Sequence, residues 1–184
     1  MEIWEEIAAD REAGARRLVA DFGDRLFRCS LALCKDSHAA EDLVFRTFER
    51  VIAKIGRFNA EMSFWNWVYA VMYNLYRSDL RKSRAEVLED PEAIEDIASN
   101  GGVGDFAERL SETDTALLRR CVESLAPDFR AVIALRYFED KTLDEMSQIM
   151  RIPAGTLKWR LHKARRRLAV MLEKAFATKK GDKS

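Results

Sequence analysis

Cysteine, histidine, proline and glycine are all scarce in this chain. Its three cysteines (Cys29, Cys34, Cys121) are an odd number with no C-x-x-C pair, which argues against a disulfide framework and for reduced, buried thiols. Its two histidines, His38 and His162, lie far apart without ligand-like spacing, so neither a metal site nor a cofactor is expected. Three prolines and eight glycines leave room for long helices, and the alternating Val/Ile/Thr runs that mark strands are few. No apolar run approaches the roughly 18 residues of a membrane span. The N-terminal MEIWEEIAADRE is acidic and lacks the basic-then-apolar order of a secretory signal. No nucleophile–base constellation or phosphate loop is present, so the chain does not read as an enzyme. These absences predict an all-α, cytoplasmic protein without membrane insertion.

What the chain does have is charge, unevenly spread. The 31 basic and 31 acidic side chains cancel overall. Residues 85–115 nevertheless hold one basic side chain against ten acidic ones, and residues 153–184 hold ten against two. Such asymmetry points to a polyanion partner for the basic end. The acidic strip also carries Pro91, Gly101, Gly102 and Gly104 and few large apolar residues. That composition offers too little apolar surface to offset the entropy of ordering, and predicts a flexible linker between two small helical domains. The boundaries that follow are a first domain over 1–84, an acidic linker over 85–115, a second domain over 116–175 and a polar tail over 176–184.

The second domain has helical periodicity throughout. Leu117, Leu118, Cys121, Val122 and Leu125 make one apolar stripe. Pro127 opens the next helix, followed by Phe129, Val132, Ile133 and Leu135. Thr142 can cap a further helix, with Glu145 completing a capping box and Leu143, Met146, Ile149 and Met150 on its inner face. That helix must stop near Arg151, because the residue before Pro153 is pushed out of the α region, and Pro153 suits the first turn of a new helix. Two short helices joined by a few residues are the helix-turn-helix signature. On a wheel of the second one, Leu157, Leu161, Ala164, Leu168 and Met171 face inward. Gly155, Trp159, His162, Lys163 and Arg166 lie opposite, flanked by Thr156, Lys158 and Arg165. A solvated basic helix end favoured by the helix dipole would also carry this charge. Charge, motif and facing together favour DNA, with phosphates neutralised along the helix and bases read near its start.

In the first domain, Val44, Phe48, Val51, Ile52 and Ile55 form a buried stripe, with Asp42, Arg46 and Glu49 pointing the other way as a partner surface. Six aromatic residues then crowd between Phe64 and Tyr76. On the wheel Phe64, Trp67, Val68, Val71 and Leu75 make a core face. Trp65, Tyr69, Tyr73 and Tyr76 make a second aromatic face, trailed by Arg77, Arg81, Lys82 and Arg84. Rings beside basic side chains suit unpaired bases, although core packing accounts for most such aromatics.

With these residues in view, the chain resembles the bacterial RNA polymerase sigma factors of the extracytoplasmic-function (ECF) type, group IV of the sigma-70 family. AEDLVFRTFERV resembles the polymerase-binding helix of region 2, and FNAEMSFWNWVYAVMYNLYRSDLRKSR resembles its promoter-melting and minus-ten-reading part. LAPDFRAVIALRYFEDKTLDEMSQIMRIPAGTLKWRLHKARRRL resembles region 4, the helix-turn-helix that reads the minus-thirty-five element. The chain departs from the pattern at Phe45, where the family usually has glutamine, and at Trp159, where a small residue is usual.

The resemblance implies a transcription-initiation factor and assigns residues to it. Asp42, Leu43, Arg46 and Glu49 would contact core polymerase at the β′ clamp helices. Arg57, Phe58, Asn59, Trp65, Tyr69, Tyr73, Tyr76, Arg77 and Arg81 would capture unpaired minus-ten bases. Gly155, Thr156, Lys158, Trp159, Arg160, His162, Lys163, Arg165 and Arg166 would meet the minus-thirty-five duplex. The acidic linker would lie in a basic channel of the polymerase, and an anti-sigma factor would hold the protein inactive. Two rivals remain at this level: a helix-turn-helix regulator that needs no polymerase, and a sigma-mimic decoy that titrates an anti-sigma factor. The aromatic, basic first domain argues against the former, and the outward basic helix against the latter.

Overall fold

A computed structural model describes residues 2–86 and 112–181, with side chains described over 2–83 and 116–177. The predicted linker falls almost wholly outside the described residues. Only its ends are seen, as helix through Glu86 and again from Glu112. Eight α-helices, a 3-10 turn and a π-turn make up the described elements: α1 (Ile3–Ala9), α2 (Arg11–Cys34), α3 (Ser37–Ala53), α4 (Phe64–Glu86), α5 (Glu112–Ser124), α6 (Pro127–Ile133), α7 (Leu143–Met150) and α8 (Ala154–Gly181). The chain divides into two compact units, Met1–Asp90 with Asp144–Arg151 and Pro91–Leu143 with Ile152–Ser184.

In the first unit, helix starts are set by carboxylates. The Asp10 side chain accepts from the Glu12 and Ala13 amides at 2.9 and 3.2 Å, and that of Asp36 from the Ala39 amide at 2.8 Å, satisfying N–H groups that a helix start leaves over. Lys35, at φ 63°, closes α2 in the left-handed conformation and turns the chain into α3. Packing of α1 on α2 is close. A Cβ on Gly14 would sit 2.5 Å from the Ile7 Cα, so only glycine fits there. α2, α3 and α4 then bury Leu18, Leu26, Leu33, Leu43, Phe48, Val51, Val68 and Met72, each worth roughly 1.5–3 kcal/mol on removal from water.

The second unit is built on α8, against which α5 and α6 pack. Leu157, Leu161, Ala164, Leu168 and Leu172 form its buried stripe, opposite Cys121, Val122, Leu125, Phe129, Val132, Ile133 and Leu135. The stripe ends on Leu172 rather than the expected Met171, one step round the helix. Burial raises the Cys121 thiol pKa above its ordinary value, so the group stays neutral in the core. Arg130 is buried too. Its Nη1 donates to the carbonyls of Glu123 and Leu125 at 3.1 and 3.0 Å, closing off the C-terminal end of α5.

After Ile133 the helix widens. The Glu139 amide reaches back to the Ala134 carbonyl at 3.1 Å and the Lys141 amide to that of Leu135 at 3.0 Å, a π-turn over Ala134–Phe138. Asp140, at φ 48°, then reverses the chain. α8 continues to Gly181, beyond the point where a polar tail is expected. The sequence from 176 to 180 holds neither glycine nor proline to break a helix.

Candidate nucleic-acid interface

α8 follows α7 after only Arg151, Ile152 and Pro153. The Arg151 amide still donates to the Ser147 carbonyl at 2.9 Å while its φ of 56° breaks the helix, and the Leu157 amide donates to the Pro153 carbonyl at 3.1 Å. This local geometry matches the turn expected from the sequence. It leaves Gly155, Thr156, Lys158, Trp159 and His162 exposed on the first turns of α8, while Leu157 and Leu161 are buried. A Cβ on Gly155 would meet nothing within 4 Å, so the fold itself does not require glycine there. Trp159 is 44% exposed and leans on Phe129, ring centroids 6.1 Å apart, which is how the unusual indole is accommodated.

The remaining basic residues of α8 are not equivalent. Arg160 turns to Asp128 at 3.2 Å, so its charge is offset within the domain. The Arg167 guanidinium lies over the Phe129 ring at 4.6 Å. Lys163, Arg165 and Arg166 are half-buried along the flank of the outward face. Arg165 donates through Nε to the Tyr137 hydroxyl at 2.8 Å, a partner that sequence reasoning did not single out. The π-turn that carries Tyr137 outward leaves no mark in hydrophobic periodicity.

In the first unit the structure corrects the facing of α4. Trp65, Tyr69, Tyr73 and Tyr76 are core residues, at most 6% exposed, and do not form an outward platform. Trp65 stacks on Phe22 at 5.6 Å, with Arg25 over its ring at 4.2 Å. Tyr76 donates its hydroxyl to the Leu33 carbonyl at 3.1 Å, and the sulfur of the buried Met72 accepts from the Ser30 hydroxyl at 3.2 Å. Both faces of α4 are apolar, so a wheel cannot choose between them; α2 chooses, through these contacts. The half-buried face is the other one. Phe64 and Trp67 there join Phe58 and Trp4 in an aromatic cluster with centroids 5.2–5.9 Å apart. Arg57 and Asn59 are exposed beside it, and the Asn59 carboxamide shapes the loop: its nitrogen donates to the Glu61 carboxylate at 2.8 Å and its oxygen accepts from the Glu61 backbone amide at 3.1 Å. Arg81 is exposed, and Arg77 lies half-buried 5.8 Å from the Tyr73 ring.

The expected partner surface on α3 is also redrawn. Leu43 is 2% exposed and belongs to the core with Ala40, Thr47, Phe48 and Val51, so it cannot make an outer contact; Val44 and Ile52 are half-buried. The stripe lies about one residue from the expected one. Thr47 fits inside because its hydroxyl donates to the Leu43 carbonyl at 2.6 Å. Asp42 and Glu49 are exposed as expected, and between them stands Phe45, 64% exposed. Arg46 is half-buried, held by Asp42 and Asp79. Among the described residues no group of side chains is arranged to hold a metal ion, and no helix is long and apolar enough to cross a membrane.

Comparison with known proteins accounts for both units. The sigma-70 region 2 family model matches residues 18–86, and the sigma-70 region 4 model matches residues 115–168. The ECF RNA polymerase sigma factor SigW of Bacillus subtilis is 26% identical over 163 residues, covering 84% of this chain and 87% of that protein. Among solved structures, the sigma factor RpoE of Bartonella quintana, in complex with the anti-sigma factor NepR, has a TM-score of 0.66 at 24% identity, covering 86% of this chain and 96% of that one. CnrH in complex with the cytosolic domain of CnrY has a TM-score of 0.63 at 16% identity, covering 93% and 95%. These two likenesses speak to the fold. Region 2 and region 4 follow in order on a chain whose α8 presents a basic face, and the chain belongs to the sigma-70 family as an ECF-type RNA polymerase sigma factor, a transcription-initiation factor without catalytic activity of its own.

Proposed function

We propose that promoter recognition by this sigma factor is divided between three surfaces. The first turns of α8 read the minus-thirty-five duplex from the major groove, with Gly155, Thr156, Lys158, Trp159 and His162 facing bases or the sugar edge and Lys163, Arg165 and Arg166 facing phosphates. Arg160, paired with Asp128, supports the helix instead. In region 2, unpaired minus-ten bases stack against the half-buried cluster of Phe58, Phe64 and Trp67, with Arg57, Asn59, Arg77 and Arg81 on the strand's phosphates. Core polymerase docks through its β′ clamp helices on the face that carries Asp42, Phe45 and Glu49, where the exposed ring adds apolar contact to a carboxylate pair.

The observation that carries this reading is the partition of α8. Its leucines are all buried and its exposed N-terminal half is basic. A structural helix end has no need of Gly155, Trp159 and His162 on the solvent side. The acidic strip lies in a basic channel of the polymerase, its charge matching a path built for nucleic acid. The protein works in the cytoplasm, and an anti-sigma factor holds it inactive; the similarly folded RpoE was solved in complex with the anti-sigma factor NepR. The test is selection of promoters from a random duplex library by core polymerase with this chain. Lys158→Ala should broaden the selected minus-thirty-five sequence and leave the minus-ten sequence unchanged. A selection that Lys158→Ala, Thr156→Ala and His162→Ala all leave unaltered would remove α8 from base reading.

A further inference from the structure

A cleft of about 580 Å³ opens on the flank of α8. It is lined by Arg136, Thr142, Lys158, His162 and Arg165 over an apolar floor of Leu143 and Leu161. Three of these side chains are cationic, one is an imidazole, one is a hydroxyl, and none is a carboxylate. Its arginines are held differently from the ion-paired Arg46 and Arg160. Arg46 and Arg160 bond to carboxylates, which cancel their charge. Arg136 instead donates Nη1 to the Lys141 carbonyl at 2.8 Å, and Arg165 donates Nε to the Tyr137 hydroxyl at 2.8 Å. Both acceptors are neutral, so each guanidinium is oriented and keeps its full charge. Nε being the atom engaged on Arg165, its two terminal NH₂ groups remain available as a fork for oxygen acceptors.

Tyr137 has little reason to be where it is for the sake of the core, since it is 48% exposed. The π-turn swings it outward, and its ring lies 5.8 Å from the Arg165 guanidinium carbon. Single π-turns inside helices are frequent at functional sites. We propose that Tyr137 is the positioning residue of a seat for one backbone phosphate of the upstream promoter duplex, with Arg165 and Arg136 supplying the charge. The proposal rests on the reading that α8 docks on duplex DNA, and it names the group that this flank of the helix takes. A phosphodiester is tetrahedral, singly charged and rich in acceptors, which suits several donors with no acceptor among them. A base edge carries donors as well, and would leave those without partners.

The experiment uses the full chain assembled with core polymerase and a duplex carrying only the upstream element, selected beforehand with the wild-type protein. Each phosphate is replaced in turn by a neutral methylphosphonate, and binding is followed by fluorescence anisotropy. At one linkage, neutralisation should weaken the wild type and leave Arg165→Ala unaffected. On the intact duplex, Arg165→Ala should flatten the plot of log K against log salt by about 0.9. Tyr137→Phe keeps the ring and every charge, so it should leave that slope unchanged while weakening binding about two- to tenfold, as befits one hydrogen bond. Its effect should vanish in an Arg165→Ala background and at the identified neutral linkage. A Tyr137→Phe loss of equal size with and without Arg165, or the absence of any linkage whose effect depends on Arg165, overturns the proposal. Free inorganic phosphate at constant ionic strength that displaced the duplex from the wild type and not from Arg165→Ala would make the cleft a small-anion site and overturn it as well. Failure of the wild-type assembly to select any upstream sequence would instead bring down the docking reading, and the phosphate seat with it.

Discussion

Arg46 on α3 and Asp79 on α4 form a two-pronged pair, Nη1 to Oδ2 at 2.9 Å and Nη2 to Oδ1 at 3.0 Å, and the same Nη1 also meets Asp42 at 2.9 Å. Asp79, and after it Asp42, raise the pKa of the guanidinium above its ordinary value, so its charge is fixed at every physiological pH. The pair makes Arg46 a strut between two helices rather than a free contact on the surface proposed to meet polymerase. Asp79→Asn should lower stability by about 0.5–1 kcal/mol, a modest cost because both side chains are a third or more exposed. Urea unfolding measures it. Glu49→Ala should leave the unfolding midpoint in place and weaken polymerase binding, and the reverse pattern would exchange the roles of the two positions.

Tyr73 and Trp67 separate the two faces of α4. Tyr73 is 2% exposed, and Tyr73→Ala should cost about 3–5 kcal/mol of stability. Trp67→Ala, on the half-buried face, should cost less and should reduce permanganate-detectable promoter melting, with transcription restored on a template carrying a pre-melted bubble. A Tyr73→Ala protein of wild-type stability that fails only in melting would return the tyrosine stripe to the DNA.

On α8, Leu161→Ala should destabilise region 4 by roughly 2–5 kcal/mol, because the side chain is 4% exposed. Lys158→Ala should leave thermal unfolding unchanged and weaken upstream-element binding by about 1–3 kcal/mol, as befits a base-edge contact. Calorimetry and anisotropy on the same preparations distinguish the two outcomes.

Two glycines should respond to alanine with opposite signs. Gly14→Ala brings a Cβ to 2.5 Å from backbone, forcing α1 off α2 at about 1–3 kcal/mol or more. Gly155→Ala meets open space and should stabilise the helix by about 0.5–1 kcal/mol. Any loss of DNA affinity at this position must then come from the duplex side of α8, and fluorescence melts read beside duplex titrations make the comparison.

Much of the architecture was legible in the sequence, and unevenly so. The facing of α8 was legible because its wheel sets leucines against cations, and a helix with one apolar side has one way to fold. The turn at Arg151 was legible because Pro153 constrains its neighbour. α4 was not, since it is apolar on two sides and the choice is made by partners on α2. Asp79 held a clue. It continues the spacing of Trp65, Tyr69, Met72 and Tyr76, and an acidic side chain on an inner stripe calls for a cation, which Arg46 supplies. Leu43 was misplaced by about one residue because Thr47, polar by type, is buried through a bond to its own helix. Tyr137 could not be found at all, because a π-turn shifts the register of every residue after it.

The measurement that bears most directly on the account is run-off transcription by core polymerase from the promoter library, with and without this chain. Transcripts should arise only when the chain is present and only from templates sharing an upstream and a minus-ten element, and Lys158→Ala should relax the upstream element alone. Tight binding to core polymerase with no template-selective transcript, whatever the promoter, would contradict promoter recognition by this protein.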